Sequence, residues 1–379
     1  MAATTSVGVL HYFEELPDPR RETKNKLHLL VDILVLALCA IIAGCESAVD
    51  MEEYGKQKEA WLRKFLRLPH GIPSHDTFSR VLAALDPRPF HDAFVRWVQA
   101  LHEVTAGQVV SLDGKTLRRS FDKAKSLGPL HVVSAWAADN RLVLGEVAVD
   151  SKSNEITAIP KLLEILELSG AIVTIDAMGC QKEIAAQIRE VGADYVLAVK
   201  DNQPHLFEDL AAHFEGVVEN GNTLPRRQRH HTKEKNRGRL EERFYYATPV
   251  PPDLRNREAW QELNSVGWVL SMTERDGQQS CDVRAYISSL KPDAKQLARA
   301  VRQHWSIENG QHWVLDVVFN EDQCRARLGH ETENLALLRR LALNLTQQET
   351  TKMPSIRVKR RAAGWNDDLM LRILTAGTT

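Results

Sequence analysis

The chain has few cysteines, no long apolar run and no excess of charge of either sign. Its five cysteines, Cys39, Cys45, Cys180, Cys281 and Cys324, are odd in number and none stands in a CxxC pair. That argues against a disulfide framework or a thiolate zinc site and fits a reducing compartment. The most apolar run, Ile33 to Cys45, has 13 residues, whereas a bilayer span needs about 20. It also begins too far from Met1 for a signal peptide. It reads as a buried helix in a soluble, cytoplasmic protein with no membrane partner. Lys+Arg total 49 and Asp+Glu 50, for a formal net charge of -1. Uniform histone-like basicity is excluded, but a nucleic-acid binder with local basic clusters is not. Walker A, a GxGxxG after a strand and GxSxG are absent as well, which argues against a nucleotide hydrolase, a dehydrogenase and an α/β-hydrolase.

What is present is an ordinary globular composition. Hydrophobic residues make up 43% and charged residues 26% of 379, enough for two or three domains. Residues 1–105 read as helical, with helix-forming stretches at 27–45, 50–66, 75–85 and 88–104 and Ser74 as an N-cap. From 106 the pattern becomes three strands (108–113, 131–137, 141–149), a helix (155–168), a strand (171–176), a helix (181–191) and a strand (195–200). The first three can form an antiparallel meander, and the later strands add by right-handed crossovers. That order is the one of ribonuclease-H-like domains. Residues 205–290 read as a mostly β insertion, followed by a long helical pattern from Pro292 to about Val318 and a helix from Glu331 to Leu345. The mixed α/β domain thus spans 106–350. Residues 351–379 read as a basic tail ending in a short helix.

Two acids end apolar strands: Asp113, before Gly114-Lys115-Thr116, and Asp176, before Ala177-Met178-Gly179. Strand carboxyl ends are where open α/β sheets bind ligands, and the two strands are neighbours in the expected topology. Each Asp also fits a simple turn former. A third acid, Glu308, lies in His304-Trp305-Ser306-Ile307-Glu308-Asn309. At 100° per residue it shares a stripe with Val301, Trp305, His312 and Leu315, which points it toward packing. There a carboxylate needs a partner, either an arginine or a metal ion. Three carboxylates without a His/Cys cluster suit magnesium or manganese. Such ions serve in-line displacement at a phosphodiester.

Longer stretches carry a resemblance. They are Phe13 to Arg21, Leu68 to Phe78, Leu112 to Arg118, Lys152 to Ile156, Thr174 to Gln181, Lys200 to Gln203, His304 to Asn309 and His312 to Val317. In these the chain resembles insertion-sequence DDE transposases of the H-repeat-associated branch, over residues 10 to 375. The resemblance implies an α/β fold with a ribonuclease-H-like (retroviral-integrase-like) catalytic domain and an N-terminal helical associated domain. It further implies a magnesium-dependent DDE triad, DNA cleavage and strand transfer. Carried over, the triad and metal ligands are Asp113, Asp176 and Glu308, separated by 63 and 132 residues. Many such enzymes carry Tyr, Arg and Lys around the Glu; here those positions hold Val301, His304 and Leu315. Supporting basic residues must then come from elsewhere, with Arg302 and His312 as candidates.

Residues 226 to 243 carry eight Lys/Arg against three acids, a pattern for phosphate neutralisation or for a solvated loop. Lys352, Arg357, Lys359, Arg360 and Arg361 form a second cluster, for DNA or for a soluble tail. The expected DNA contacts are Lys115, Arg118 and Lys200 beside the strand ends, Arg226, Arg227, Arg229, Arg239 and Arg243 in the basic run, and Arg302 and His312 near Glu308. The expected partners are terminal inverted repeats, target DNA and further copies of the chain. A DNA-binding remnant without cleavage, and a metal-dependent nuclease without strand transfer, are the competing readings.

Overall fold

The computed structural model describes residues 8–23, 26–102, 104–121, 128–149, 154–219, 224–236, 238–275 and 277–376. Lys152, Ser153 and Arg237 from the motifs above lie outside them. Five helices come first: α1 (Gly8–Glu14), α2 (Leu30–Ala43), α3 (Ala48–Leu62), α4 (His75–Ala84) and α5 (Pro87–Leu101). Side-chain caps start three of them. Ser47 and Asp50 form a capping box on α3, Ser74 accepts from the Thr77 N–H at 3.4 Å on α4, and Asp86 precedes Pro87 on α5. The apolar run is α2, which is buried along almost its whole length. No single helix among the described residues is long and apolar enough to cross a membrane.

The order strand, strand, strand, helix, strand, helix, strand is realised as β1 (Val109–Thr116), β2 (His131–Ala137), β3 (Leu142–Val149), α6 (Glu155–Ile165), β4 (Ile172–Ile175), α7 (Lys182–Glu190) and β5 (Asp194–Val199). β1, β2 and β3 pair antiparallel; β4 and β5 join β1 in parallel. The segment expected as an insertion begins with a helix, α8 (Pro204–Glu219), and continues as β6 (Arg229–Asn236), β7 (Arg239–Pro249), β8 (Ser265–Arg275) and β9 (Gln278–Ser288). It is not a separate β unit. β9 pairs with β5, so one nine-stranded sheet runs β3-β2-β1-β4-β5-β9-β8-β7-β6. β6 holds basic residues that read as loop, because its polar side chains lack the alternation that marks a strand.

The chain then forms α9 (Ala294–His304), α10 (Trp313–Val317), α11 (Glu331–Gln348), α12 (Ile356–Trp365) and α13 (Asp367–Leu374). One continuous core joins the first five helices, one face of the sheet and α11–α13. The expected soluble tail is therefore folded structure. Arg360 is buried on α12, donates to the carbonyls of Ile41, Ile42 and Val318, and lies 3.8 Å from the centre of the Phe319 ring. Lys359 is buried against Glu349. These two cations hold α12 in place, and neither is free for DNA.

Buried polar groups tie α11 to the sheet. Asn344 both accepts from the Val143 N–H and donates to the Val143 carbonyl, satisfying the outer strand β3. Arg340 is fully buried, paired with Glu146 of β3 and with Glu321. Glu321 also accepts from Lys115 of β1 at 2.6 Å. Burial alone would raise the Glu321 carboxyl, but Arg340 and Lys115 outweigh it and hold it at about 2. Removing one member of such a network strands a buried charge. Arg340→Met is therefore expected to cost about 3–5 kcal/mol, read by denaturant unfolding; a loss below about 1 kcal/mol would contradict the network's role.

Candidate active site

Parallel register sets the first two acids side by side. Leu112 of β1 pairs with Ile175 of β4, so Asp113 and Asp176 are the next residues on adjacent strands at the same sheet edge. Asp176 ends its strand in a turn and accepts from the N–H groups of Met178, at 3.0 Å, and Gly179, at 3.4 Å. It thus forms the turn expected of it while presenting its carboxylate at the edge. Asp113 remains within β1 and accepts from the Gly114 N–H at 2.9 Å.

The charges interact. Burial raises the Asp113 carboxyl most, and repulsion from Asp176, Glu155 and Glu308 adds to it, bringing it to about 7. Burial and Glu155 raise Asp176, opposed by the Gly179 and Met178 N–H groups and by Lys200. Asp113 thus feels Asp176 and Glu155 and, least of the three, Glu308, while the acid acting on Asp176 is Glu155. Among the described residues, no three Cys, His, Asp or Glu groups close into a ready-made metal cage.

Glu308 is exposed rather than turned into packing. The 100° stripe fails because the helix does not stay α-helical. α9 ends at His304 with Trp305 as its C-cap, and Glu308–His312 form a π-helical turn before α10, so Trp305 and Glu308 sit at a break and not on a continued α-helix. Val301 and Leu315 are buried as the stripe requires, while Trp305 is 38% exposed. Gly310 allows the turn to approach β2: a Cβ there would lie 2.6 Å from the Trp136 ring.

Polar anchors pin this turn on both sides. Before it, Ser111 of β1 donates to the Gln303 carbonyl at 3.3 Å, His304 Nδ1 meets Thr174 Oγ1 of β4 at 3.1 Å, and Trp136 Nε1 donates to Ser306 Oγ at 3.1 Å. After it, Lys115 grips Asp316 of α10 and Glu321. The Glu-bearing segment is thereby fastened to the strands that carry the two aspartates.

Glu155, at the start of α6, is the site residue that the sequence pattern did not assign. Its carboxylate acts on both aspartates, accepts from His131 Nε2 at 2.8 Å, and lies so close to Gly114 that a Cβ there would sit 2.0 Å from its oxygen. Its one sequence signal is its place in the Lys152 to Ile156 stretch.

The expected DNA contacts divide. Lys115 is buried, its side chain 6% exposed and committed to Asp316 and Glu321, so its charge serves the fold instead of a phosphate. His312 lies 3.5 Å from Asp113 Oδ2, and burial, with Lys115 and Arg340 nearby, drives it down to about 3. It is neutral at physiological pH and offers no cationic phosphate contact. Arg118 and Lys200 are exposed; Lys200 acts on Asp176, whereas Arg118 lies 3.6 Å from Asp322. Arg226, Arg227 and Arg229 are exposed at the head of β6, with Arg227 3.0 Å from Asp293. Arg239, Arg243 and Arg302 meet on one side of the β6–β9 ribbon through Glu234 and Glu241.

Comparison with known proteins agrees with the resemblance. Residues 105–345 match the family described as "Transposase DDE domain", and residues 10–98 match "DDE_Tnp_1-associated". The chain is 39% identical over 376 residues to "Putative transposase YncI" of Escherichia coli O157:H7, covering 97% of this chain and 95% of that protein. It is 37% identical over 371 residues to "H repeat-associated putative transposase YhhI" of Escherichia coli strain K12, covering 97% of each. Among solved structures, a piggyBac transposase synaptic complex with hairpin DNA aligns over 98% of this chain and 80% of that one, at 12% identity and a TM-score of 0.42. With the DDE domain matched over more than half its length, the chain belongs to the DDE transposase family.

Proposed function

We propose that the protein is a DNA transposase that cleaves the ends of its own element and transfers the freed ends into target DNA. The observation that carries this reading is the convergence of Asp113 and Asp176 at one sheet edge, with Glu308 brought toward them on a turn pinned to the same strands. On this reading the first five strands with their helices are a ribonuclease-H-like domain. The three acids are its triad, and the helices up to residue 105 are its associated domain. The substrates are terminal inverted repeats and target DNA, handled by more than one copy of the chain in the bacterial cytoplasm, since two ends must be brought together.

The donor set fits a hard divalent cation. Several carboxylates repel one another in a partly buried site, and magnesium or manganese takes oxygen ligands of that kind. Asp113, Asp176 and Glu308 would hold the ion. When bound it lowers the pKa of a water or hydroxyl and stabilises the leaving oxygen of the phosphodiester. Asp113 must release its proton to serve as a ligand, and its neutral neighbour His312 adds no positive charge to compete for the carboxylate. Gly114 keeps the space beside Asp113 open to Glu155. The anchors through Ser111, Thr174, Trp136 and Lys115 keep Glu308 from relaxing away from the aspartates. A first displacement by water would cut the transposon end. The 3′-hydroxyl left behind would then attack target DNA.

Three outcomes test this reading. Asp113→Asn, Asp176→Asn and Glu308→Gln each remove one charge at nearly constant volume. Each should abolish cleavage, and strand transfer from a pre-cleaved end, while leaving binding of end DNA intact. Strand transfer by wild-type protein distinguishes a transposase from a plain nuclease, and binding without cutting would identify a remnant. Wild-type activity should require magnesium or manganese; activity in EDTA, or strict dependence on zinc, would overturn the site. The third outcome concerns pH. Asp113 keeps its proton in the fold up to about 7, whereas the unfolded chain releases it near 3.8. This group therefore stabilises less as pH rises through that window. In EDTA, the stability of Asp113→Asn relative to wild type should climb between those limits, by at most about 4 kcal/mol. A flat difference across the window would contradict the electrostatic account.

A further inference from the structure

A cleft of about 900 Å³ lies between the β6–β9 ribbon and the α9 to α10 segment. Ser306, Asn309 and Gly310, which flank Glu308, form part of its wall. Five arginines line it: Arg141, Arg239, Arg243, Arg284 and Arg302. Arg284 stacks over the exposed Trp305 ring at 4.3 Å, and both also line a smaller apolar slot that reaches Asp176. The cationic surface is thus continuous with the catalytic edge.

Two glutamates thread three of these arginines together. Glu234 of β6 and Glu241 of β7 are direct cross-strand partners, an arrangement in which like charges destabilise a sheet. Each is held by guanidinium groups. Arg302 reaches Glu234 at 2.9 Å, Arg243 lies between Glu234 and Glu241, and Arg239 reaches Glu241 at 2.6 Å. The result is a chain of three guanidiniums alternating with two carboxylates along the cleft wall. Arg243 keeps Nη1 buried without a hydrogen bond, so its donor capacity is not exhausted. The Arg302–Glu234 pair, 45% and 47% exposed, is of the weak kind, while Arg243 and Glu241 are more enclosed, each 18% exposed; Arg binds phosphate in the same forked geometry with which it binds carboxylate.

We propose that this cleft is a track for the phosphodiester backbone, and that Glu234 and Glu241 occupy its arginines as phosphate substitutes until DNA displaces them. The proposal rests on the DNA-transposase reading and adds to it a self-shielded cationic surface. The carboxylates keep the guanidiniums ordered and compete with every DNA encounter, so that loose binding to arbitrary sequence is held down. The cleft carries more arginines than acids, which gives the displaced state its net attraction.

The test is fluorescence anisotropy with a fluorescein-labelled duplex of arbitrary sequence, titrated at several salt concentrations. Glu234→Gln and the double change Glu234→Gln with Glu241→Gln should tighten binding, by about 3- to 10-fold for the double. Arg302→Gln should weaken it and flatten the log–log salt slope by about 0.9. Circular dichroism melts verify folding. Glu234 is 47% exposed, so its single change carries the test if the double change unfolds. Unchanged or weakened binding on Glu→Gln, with wild-type binding intact, overturns this proposal alone. Failure of the wild-type protein and of the Glu→Gln variants alike to bind DNA overturns both the proposal and the transposase reading.

Discussion

Carboxylates held near one another in a partly buried place repel, and a fold that keeps them there must supply the free energy from elsewhere. Here the repulsion raises Asp113, through Asp176, Glu155 and Glu308, and Asp176, through Glu155. Strand pairing fixes the first two, because β1 and β4 cannot separate without breaking a central ladder of the sheet. Glu308 has no such support on its own short turn. Its placement depends on the contacts to either side: hydrogen bonds with β1, β2 and β4 before it, and Lys115 after it. The Lys115 pair leads on through Glu321 to Arg340 and Glu146. A buried ionic chain thus connects the strand that carries Asp113 to α11 and so to the core that carries the N-terminal helices.

This arrangement sorts the basic residues into two classes by burial. Lys115, Arg340, Lys359 and Arg360 are buried and direct their charge to carboxylates and backbone carbonyls inside the molecule. Arg239 and Arg302 stay about half exposed, where, on the proposal above, their carboxylate partners give way to phosphate. With a net charge of only -1, the chain has no overall attraction for DNA, so any affinity must come from such local surfaces.

Much of the fold is legible in the sequence because its strands are short apolar runs bounded by turns. β1, β2, β4 and β5 can be placed, and the acids that end the apolar runs of β1 and β4 fall where the topology makes neighbours. The sheet extension is less legible. β6 is almost wholly polar, and nothing in its composition shows that β9 will pair with β5. The exposure of Glu308 escapes the helical pattern for a definite reason: a fixed 100° step assumes one unbroken helix, whereas α9 ends at His304 and a π turn starts at Glu308. Lys115 looks like a phosphate contact because it stands just after Asp113-Gly114, yet its partners are 201 and 206 residues away in sequence. The same holds for Glu155, whose role arises only once the start of α6 packs against Gly114.

The central claim is that Asp113, Asp176 and Glu308 form one cation site. Ferrous iron can stand in for magnesium in an oxygen-ligand site, and with ascorbate and peroxide it cuts the polypeptide backbone near where it is bound. Mapping those cuts by mass spectrometry is the most direct test. The account predicts cleavage confined to the segments around Asp113, Asp176 and Glu308, suppressed by excess magnesium. Cuts scattered over the chain, or concentrated elsewhere and insensitive to magnesium, would contradict it.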